Sequence, residues 1–309
     1  MLTNFLTLTQ QVAVLFILIA IGLICKKTRL IGDSAVKGMT NLVLYFATPC
    51  IIINSFQHCK FNREMLLNLL LTVVVVLCIY LASIFLCIFT FRDKDMKRRS
   101  VLRVGTIFSN CGFMSLPLQQ AILGNDGVFY GAIYVAMFNL FVWTYGLVAM
   151  SGNKNDLSVR KMITNPGLIG VTLAILLWAL NIHLPEIISK PLDYMGALNT
   201  PVPMVIIGCH LANAKLKKAF THKFAYLSMF FRLVAIPLAS LLVLYLCGIR
   251  GSMLVAIIIA TSAPAAATTT MFSTKFDRDT SLSVGLVSAT TLLSIITMPL
   301  VVALAQNFA

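Results

Sequence analysis

The sequence predicts an all-α membrane protein of ten spans, arranged as two inverted halves with one broken helix in each. Three observations carry this. Of the 309 residues, 59% are apolar and only 11% charged, against roughly 45–50% and 25% in soluble domains. The basic residues fall in alternate loops. Two of the apolar segments are interrupted by a proline set among small polar residues.

Taking about 20 apolar residues as one span, the chain divides at approximately 8–25, 38–56, 65–91, 101–122, 128–150, 165–182, 192–213, 224–247, 252–273 and 281–305. The first run has no basic residue before it, and Lys26, Lys27 and Arg29 follow it. That order is the reverse of a cleavable signal, so the run reads as a first span with its N-terminus outside. The second span carries Ala47-Thr48-Pro49, the fourth Pro117, the fifth Asn139, the seventh Asn199-Thr200-Pro201, the eighth Arg232 and the ninth Pro264.

Loops after spans one, three, five, seven and nine hold 19 Lys and Arg residues, and those on the other side hold four. The positive-inside rule makes the first set cytoplasmic and places both termini outside. Five spans per half make the halves, 1–150 and 151–309, inverted with respect to each other. Pro49 and Pro201 lie 152 positions apart and Pro117 and Pro264 lie 147 apart, nearly one offset.

The formal charge of +14 is a topology signal, and no nucleic-acid partner is expected. The eight cysteines form no CxxC pair and no zinc-ligand spacing with the histidines, so neither disulfides nor a metal site is expected. No Ser-His-Asp set, phosphate loop or paired carboxylates stand out. The reading is therefore not an enzyme, and no cofactor is expected.

The candidate site lies at the interruptions. A proline inside a helix removes one backbone donor, which lipid tolerates only where the freed groups face protein or a wet cavity. Paired interruptions in two halves point to a substrate site of a secondary transporter. Half-helix N-termini attract anions, so Pro117 and Pro264 are expected to expose backbone donors to a carboxylate. Ser109, Asn110, Ser115 and Asn139 on one side, and Ser262, Thr268 and Thr269 on the other, are the candidate side-chain contacts. Each hydroxyl could instead bond its own helix. All ten acidic residues fall in loops or at span ends, so coupling through an intramembrane carboxylate is not supported. Arg232 either snorkels to the interface or lends positive potential to an anion pathway.

Three stretches carry a family resemblance: Asn41-Leu-Val-Leu-Tyr-Phe-Ala-Thr-Pro49, Asn110-Cys-Gly-Phe-Met-Ser-Leu-Pro117 and Ser262-Ala-Pro-Ala-Ala266. The chain resembles the auxin efflux carrier family, in particular its short-looped bacterial members described as malate or malonate permeases. Ser115 stands where that family usually has glycine. The resemblance implies a fold like that of sodium/proton antiporters and bile-acid symporters. Spans one, two, six and seven would form a scaffold through which a homodimer assembles. Spans three to five and eight to ten would form a transport domain, crossed at Pro117 and Pro264. It further implies a small organic anion as substrate, Asn110 as its main polar contact, an elevator-like motion and a bacterial inner membrane. A sodium-coupled symporter of the same fold and a non-transporting organic-acid sensor are the alternatives.

Overall fold

The computed structural model describes residues 2–153, 164–212 and 223–309, with side chains in the first helix from Gln10 onward except 11 and 12. The loop cations at 154–163 and 213–222, with Asp156 and His222, lie outside the described residues. In chain order the helices are α1 (Leu2–Lys27), α2 (Asp33–His58), α3 (Arg63–Thr90), α4 (Met96–Ile107), α5 (Cys111–Ser151) and α6 (Pro166–Ala179). They continue as α7 (Glu186–Ala212), α8 (Lys223–Leu246), α9 (Gly251–Ser262), α10 (Thr268–Lys275) and α11 (Thr280–Gln306). The described residues are otherwise turns and connections, and their β pairing is a single antiparallel bridge, Ser109 to Ala265.

Six of these helices, α2, α3, α5, α7, α8 and α11, are long and apolar enough to cross a membrane, and α6 and α9 are shorter apolar helices. Large apolar side chains such as Ile17, Ile24, Phe85, Leu242 and Ile296 are exposed. In water such a belt would drive aggregation; against lipid it is the required surface. Polar residues mark the helix ends. Asn62, Asp95, Asn165 and Asp279 each accept a backbone N–H of the first turn they precede, as N-caps do. Arg103 donates to the Ile88 and Phe91 carbonyls at the end of α3, and Arg278 to those of Met150 and Ser151 at the end of α5.

Several helices are irregular where the sequence suggests regular spans. α2, α5 and α8 contain π turns at Val43–Ala47, Cys111–Ser115, Val142–Gly146 and Phe231–Ala235. Three of the four end two residues before a proline, namely Pro49, Pro117 and Pro237. A proline cannot donate to the carbonyl four residues back and its ring presses on that group. A widened turn directly before it shifts the carbonyls out of register and relieves both problems. α5 also turns at Gly124 (φ 62°, ψ −142°), a conformation open in practice only to glycine. α7 is interrupted at 198–200.

Two groups of contacts stand out, and they meet where α5 packs on α2 and α6 and where α1 packs on α11. α1 crosses the second part of α7 so closely that a Cβ on Gly22 would collide with the Val205 carbonyl, and one on Gly208 with the Ile19 carbonyl. Small residues permit this backbone approach where the hydrophobic effect cannot drive association. α2 packs on α6, with Gly170 against Pro49, and on α7, where Thr48 Oγ1 donates to Asn199 Oδ1 at 2.8 Å inside the interruption. The second set surrounds α9, which packs against α5, α8 and α11.

Candidate functional site

The centre of the second set is a crossing of two interrupted helices. α4 runs for 12 residues and stops at Ile107; α9 runs for 12 and stops at Ser262. At 1.5 Å per residue each arm is about 18 Å long, slightly more than half of a hydrocarbon core about 30 Å thick. Beyond these ends the chain is non-helical at 108–110 and 263–266, and each piece starts extended, at Phe108 and Ala263. The two pieces pair: Asn110 N–H donates to the Pro264 carbonyl at 2.7 Å, and Ala266 N–H donates to the Phe108 carbonyl at 2.9 Å. Each break thus supplies the backbone partners that the other lacks, as burial demands. Thr290 Oγ1 on α11 accepts Ala265 N–H at 3.1 Å.

This places the predicted prolines unequally. Pro264 lies inside the second break, with Ala263 held extended before it (φ −63°, ψ 148°). Pro117 does not break its helix. It sits two residues beyond the π turn that opens α5, and the first break falls seven residues earlier, between Ile107 and Cys111. The widened turn before it already accommodates its missing N–H; a proline therefore marks a distorted turn as readily as a break.

The candidate side chains divide. Asn110 is 9% exposed, occupies the position before the π turn, and makes no side-chain cap there. Ser115, Thr268 and Thr269 have buried hydroxyls without a hydrogen-bond partner. Ser109 Oγ is buried as well and makes no hydrogen bond of ordinary geometry. A polar group buried without a partner costs about 1–3 kcal/mol. Ser262 Oγ instead donates to the Ile259 carbonyl of its own helix at 3.1 Å. Asn139 Nδ2 donates to the Val135 carbonyl at 2.9 Å, and the amide packs at Gly167 on α6. No hydrogen bond joins Asn139 to the crossing.

Two further residues hold the crossing. Thr290 is absent from the sequence-based candidates. Arg232, for which the sequence left snorkelling open, does not snorkel: it is 1% exposed. Nη1 donates to the Thr106 and Ile107 carbonyls at 3.1 and 3.0 Å, and Nη2 to the Thr261 carbonyl. The guanidinium therefore binds the C-terminal ends of both arms. Thr106 Oγ1, 2.6 Å from Ser228 Oγ, ties the α4 end to α8 beside it. Among the described acidic residues none forms a salt bridge with Arg232. A cavity of about 340 Å³, lined by Asn68, Asp126, Tyr130 and Arg250 among others, lies at the turn between α8 and α9, and no residue of the crossing lines it.

Groups of three or more His, Cys, Asp or Glu able to hold a metal do not occur among the described residues. What the arrangement can do is present backbone and side-chain hydrogen-bond donors to a small solute inside an apolar core.

Comparison with known proteins agrees. The model of a family described as membrane transport protein matches residues 7–160 and 153–302. The uncharacterised transporter MJ1031 of Methanocaldococcus jannaschii is 25% identical over 300 residues, covering 94% of this chain and 96% of its own. The uncharacterised transporter YfdV of Escherichia coli K12 is 23% identical over 302 residues, covering 93% of this chain and 94% of its own. With its apolar helices and its crossing of interrupted arms, the chain belongs to the membrane transport protein family, that of the auxin efflux carriers, and is a multi-pass membrane transporter and not an enzyme.

Proposed function

We propose that this transporter is a secondary carrier of small organic anions, such as malate, malonate or an auxin-like carboxylate, working by alternating access. The observation that carries the proposal is the pairing of the two breaks, beside which the Ser115, Thr268 and Thr269 hydroxyls are buried without partners and the Asn110 side chain caps no helix. The α5 and α10 N-termini open directly after the breaks, and such ends favour negative charge.

The two packing sets support an elevator-type division. α1 packs on α7, and α2 on α6 and α7; these four would form the scaffold, with a homodimer through it. α3 to α5 and α8 to α11 would form the moving body. In this reading the chain has ten spans, with broken spans α4 plus the start of α5, and α9 plus α10. The halves 1–150 and 151–309 are inverted repeats, and both termini face away from the cytoplasm across a bacterial inner membrane. The meeting of Thr48 with Asn199, near the paired Thr-Pro landmarks, is the contact expected where two such halves join.

The test is uptake of labelled malate, and separately of labelled indole-3-acetate, into proteoliposomes. Saturable, protein-dependent uptake of either acid is expected. Binding without movement would favour the sensor reading, and neither binding nor movement would sink the substrate class. Asn110→Ala should lower uptake of the transported acid about tenfold, equivalent to about 1.4 kcal/mol. Its melting temperature should stay near that of the wild type, because the amide it removes caps no helix. Unchanged uptake would exclude Asn110 as a contact.

A further inference from the structure

Arg232 has a role that the substrate reading does not use. The last carbonyls of a helix lack intrahelical partners, and each C-terminus carries about half a negative charge. Here two such ends, those of α4 and α9, converge on one point inside the core. In carriers built on discontinuous helices, such carbonyls are where a coupling cation is bound. In this chain the point is filled by a guanidinium that takes the Thr106, Ile107 and Thr261 carbonyls. Two ends of about −0.5 each balance one charge of +1. This local neutrality accounts for a fully buried arginine with no described carboxylate beside it, since an uncompensated ion would cost several kcal/mol.

We propose that Arg232 is a resident cation, covalently supplied in the place where the crossing would otherwise bind sodium, so that the crossing is assembled and the carrier runs without a sodium ion. The part about transport rests on the carrier reading above; the part about the crossing does not. Three physical features separate this role from ordinary core packing. The donors reach both arms at once. The partners are backbone carbonyls that no side-chain replacement removes. Nε is buried without a partner, so the group is sited by its two Nη atoms and not by a full set of hydrogen bonds.

The experiment measures melting of the purified, full-length protein in choline, sodium or guanidinium chloride at matched ionic strength. A sodium site filled a hundredfold above its Kd would raise the melting temperature by about 5–10 °C. The wild type should show no sodium-specific rise, and Arg232→Ala should melt on the order of 10 °C lower. Low-millimolar guanidinium, and more weakly sodium, should restore Arg232→Ala saturably. Arg232→Met fills the same volume without charge and should be neither stable nor restored, whereas Arg232→Lys should keep more than half of the stability.

A saturable sodium rise in the wild type would overturn the proposal, and that arm needs no variant to fold. Full stability of Arg232→Met would also overturn it, by reducing the residue to packing. Uptake across imposed gradients then separates the two readings. Transport that needs sodium refutes the resident cation while leaving the carrier. Absence of organic-acid transport refutes the substrate class while leaving the melting result intact.

Discussion

The two breaks at the centre of the molecule pair with each other and are held by different chemistry. The second is made by its own sequence. Ala263-Pro264-Ala265-Ala266-Ala267 would be among the best of helix formers but for Pro264, which keeps Ala263 extended. The first, Phe108-Ser109-Asn110, has no proline. It depends on its surroundings: Arg232 takes the Thr106 and Ile107 carbonyls, and the second break takes Asn110 N–H and supplies Ala266 N–H. One break is therefore autonomous and the other borrowed. Disturbing the autonomous one should remove both.

The largest effect is expected at Pro264→Ala. The change restores a backbone donor and releases Ala263, leaving five consecutive alanines after Ser262. A proline opposes a continuous helix by about 3 kcal/mol, so α9 should extend through the break and withdraw the partners of Phe108 and Asn110. Uptake of whichever acid the wild type carries should fall more than tenfold, while the melting temperature holds or rises. Loss of function without loss of stability is the signature. Wild-type uptake in this variant would mean that the crossing keeps its geometry through Arg232 and Thr290, and the contrast between the breaks would collapse.

Thr290→Val should have an intermediate effect, confined to stability. The hydroxyl accepts Ala265 N–H while donating to the Leu286 carbonyl at 2.8 Å. Valine keeps the volume and orphans the Ala265 donor, which costs about 1–3 kcal/mol. A fall in melting temperature of about 3–10 °C follows, and Thr290→Ser should recover most of it. Equal melting of Val and Thr variants would show that the second break needs no support from α11.

How much of this was legible beforehand follows from where each signal resides. Composition and alternating basic residues reveal an apolar, helical membrane protein, because lipid imposes its demands on every residue of a span. The neighbourhoods of both breaks are legible too, as small polar residues within apolar runs. Their positions are not equally so. Pro264 coincides with its break, whereas Pro117 lies downstream, in the company of Pro49 and Pro237 behind their π turns. Proline reports a distortion of the preceding turn, which a helix can absorb as a π turn or an extended segment, and tertiary partners decide which. Ser262 is indistinguishable by residue type from Ser109 and Ser115, and Asn139 from Asn110, yet Ser262 and Asn139 bond their own helices. Arg232 was visible as a charge in a span, but its partners are carbonyls, which every residue has. A side chain that binds backbone leaves no complementary mark in sequence.

Pro117→Ala sharpens the comparison from its weak side and should have the smallest effect. Leu116 N–H already reaches back five residues to the Cys111 carbonyl, so the turn before Pro117 is widened whether or not residue 117 can donate. Alanine adds one donor near carbonyls of that turn, a gain of about 1 kcal/mol. It also frees the unfolded chain, a loss of about 0.4–1 kcal/mol. The two nearly cancel, and melting should shift by less than about 4 °C, with uptake within about threefold of wild type. A tenfold loss would carry a different meaning from the loss at Pro264. It would show that the π turn itself, by setting the direction in which Asn110 and Ser115 face, belongs to the binding site, and that the first break borrows from Pro117 as well as from its partner.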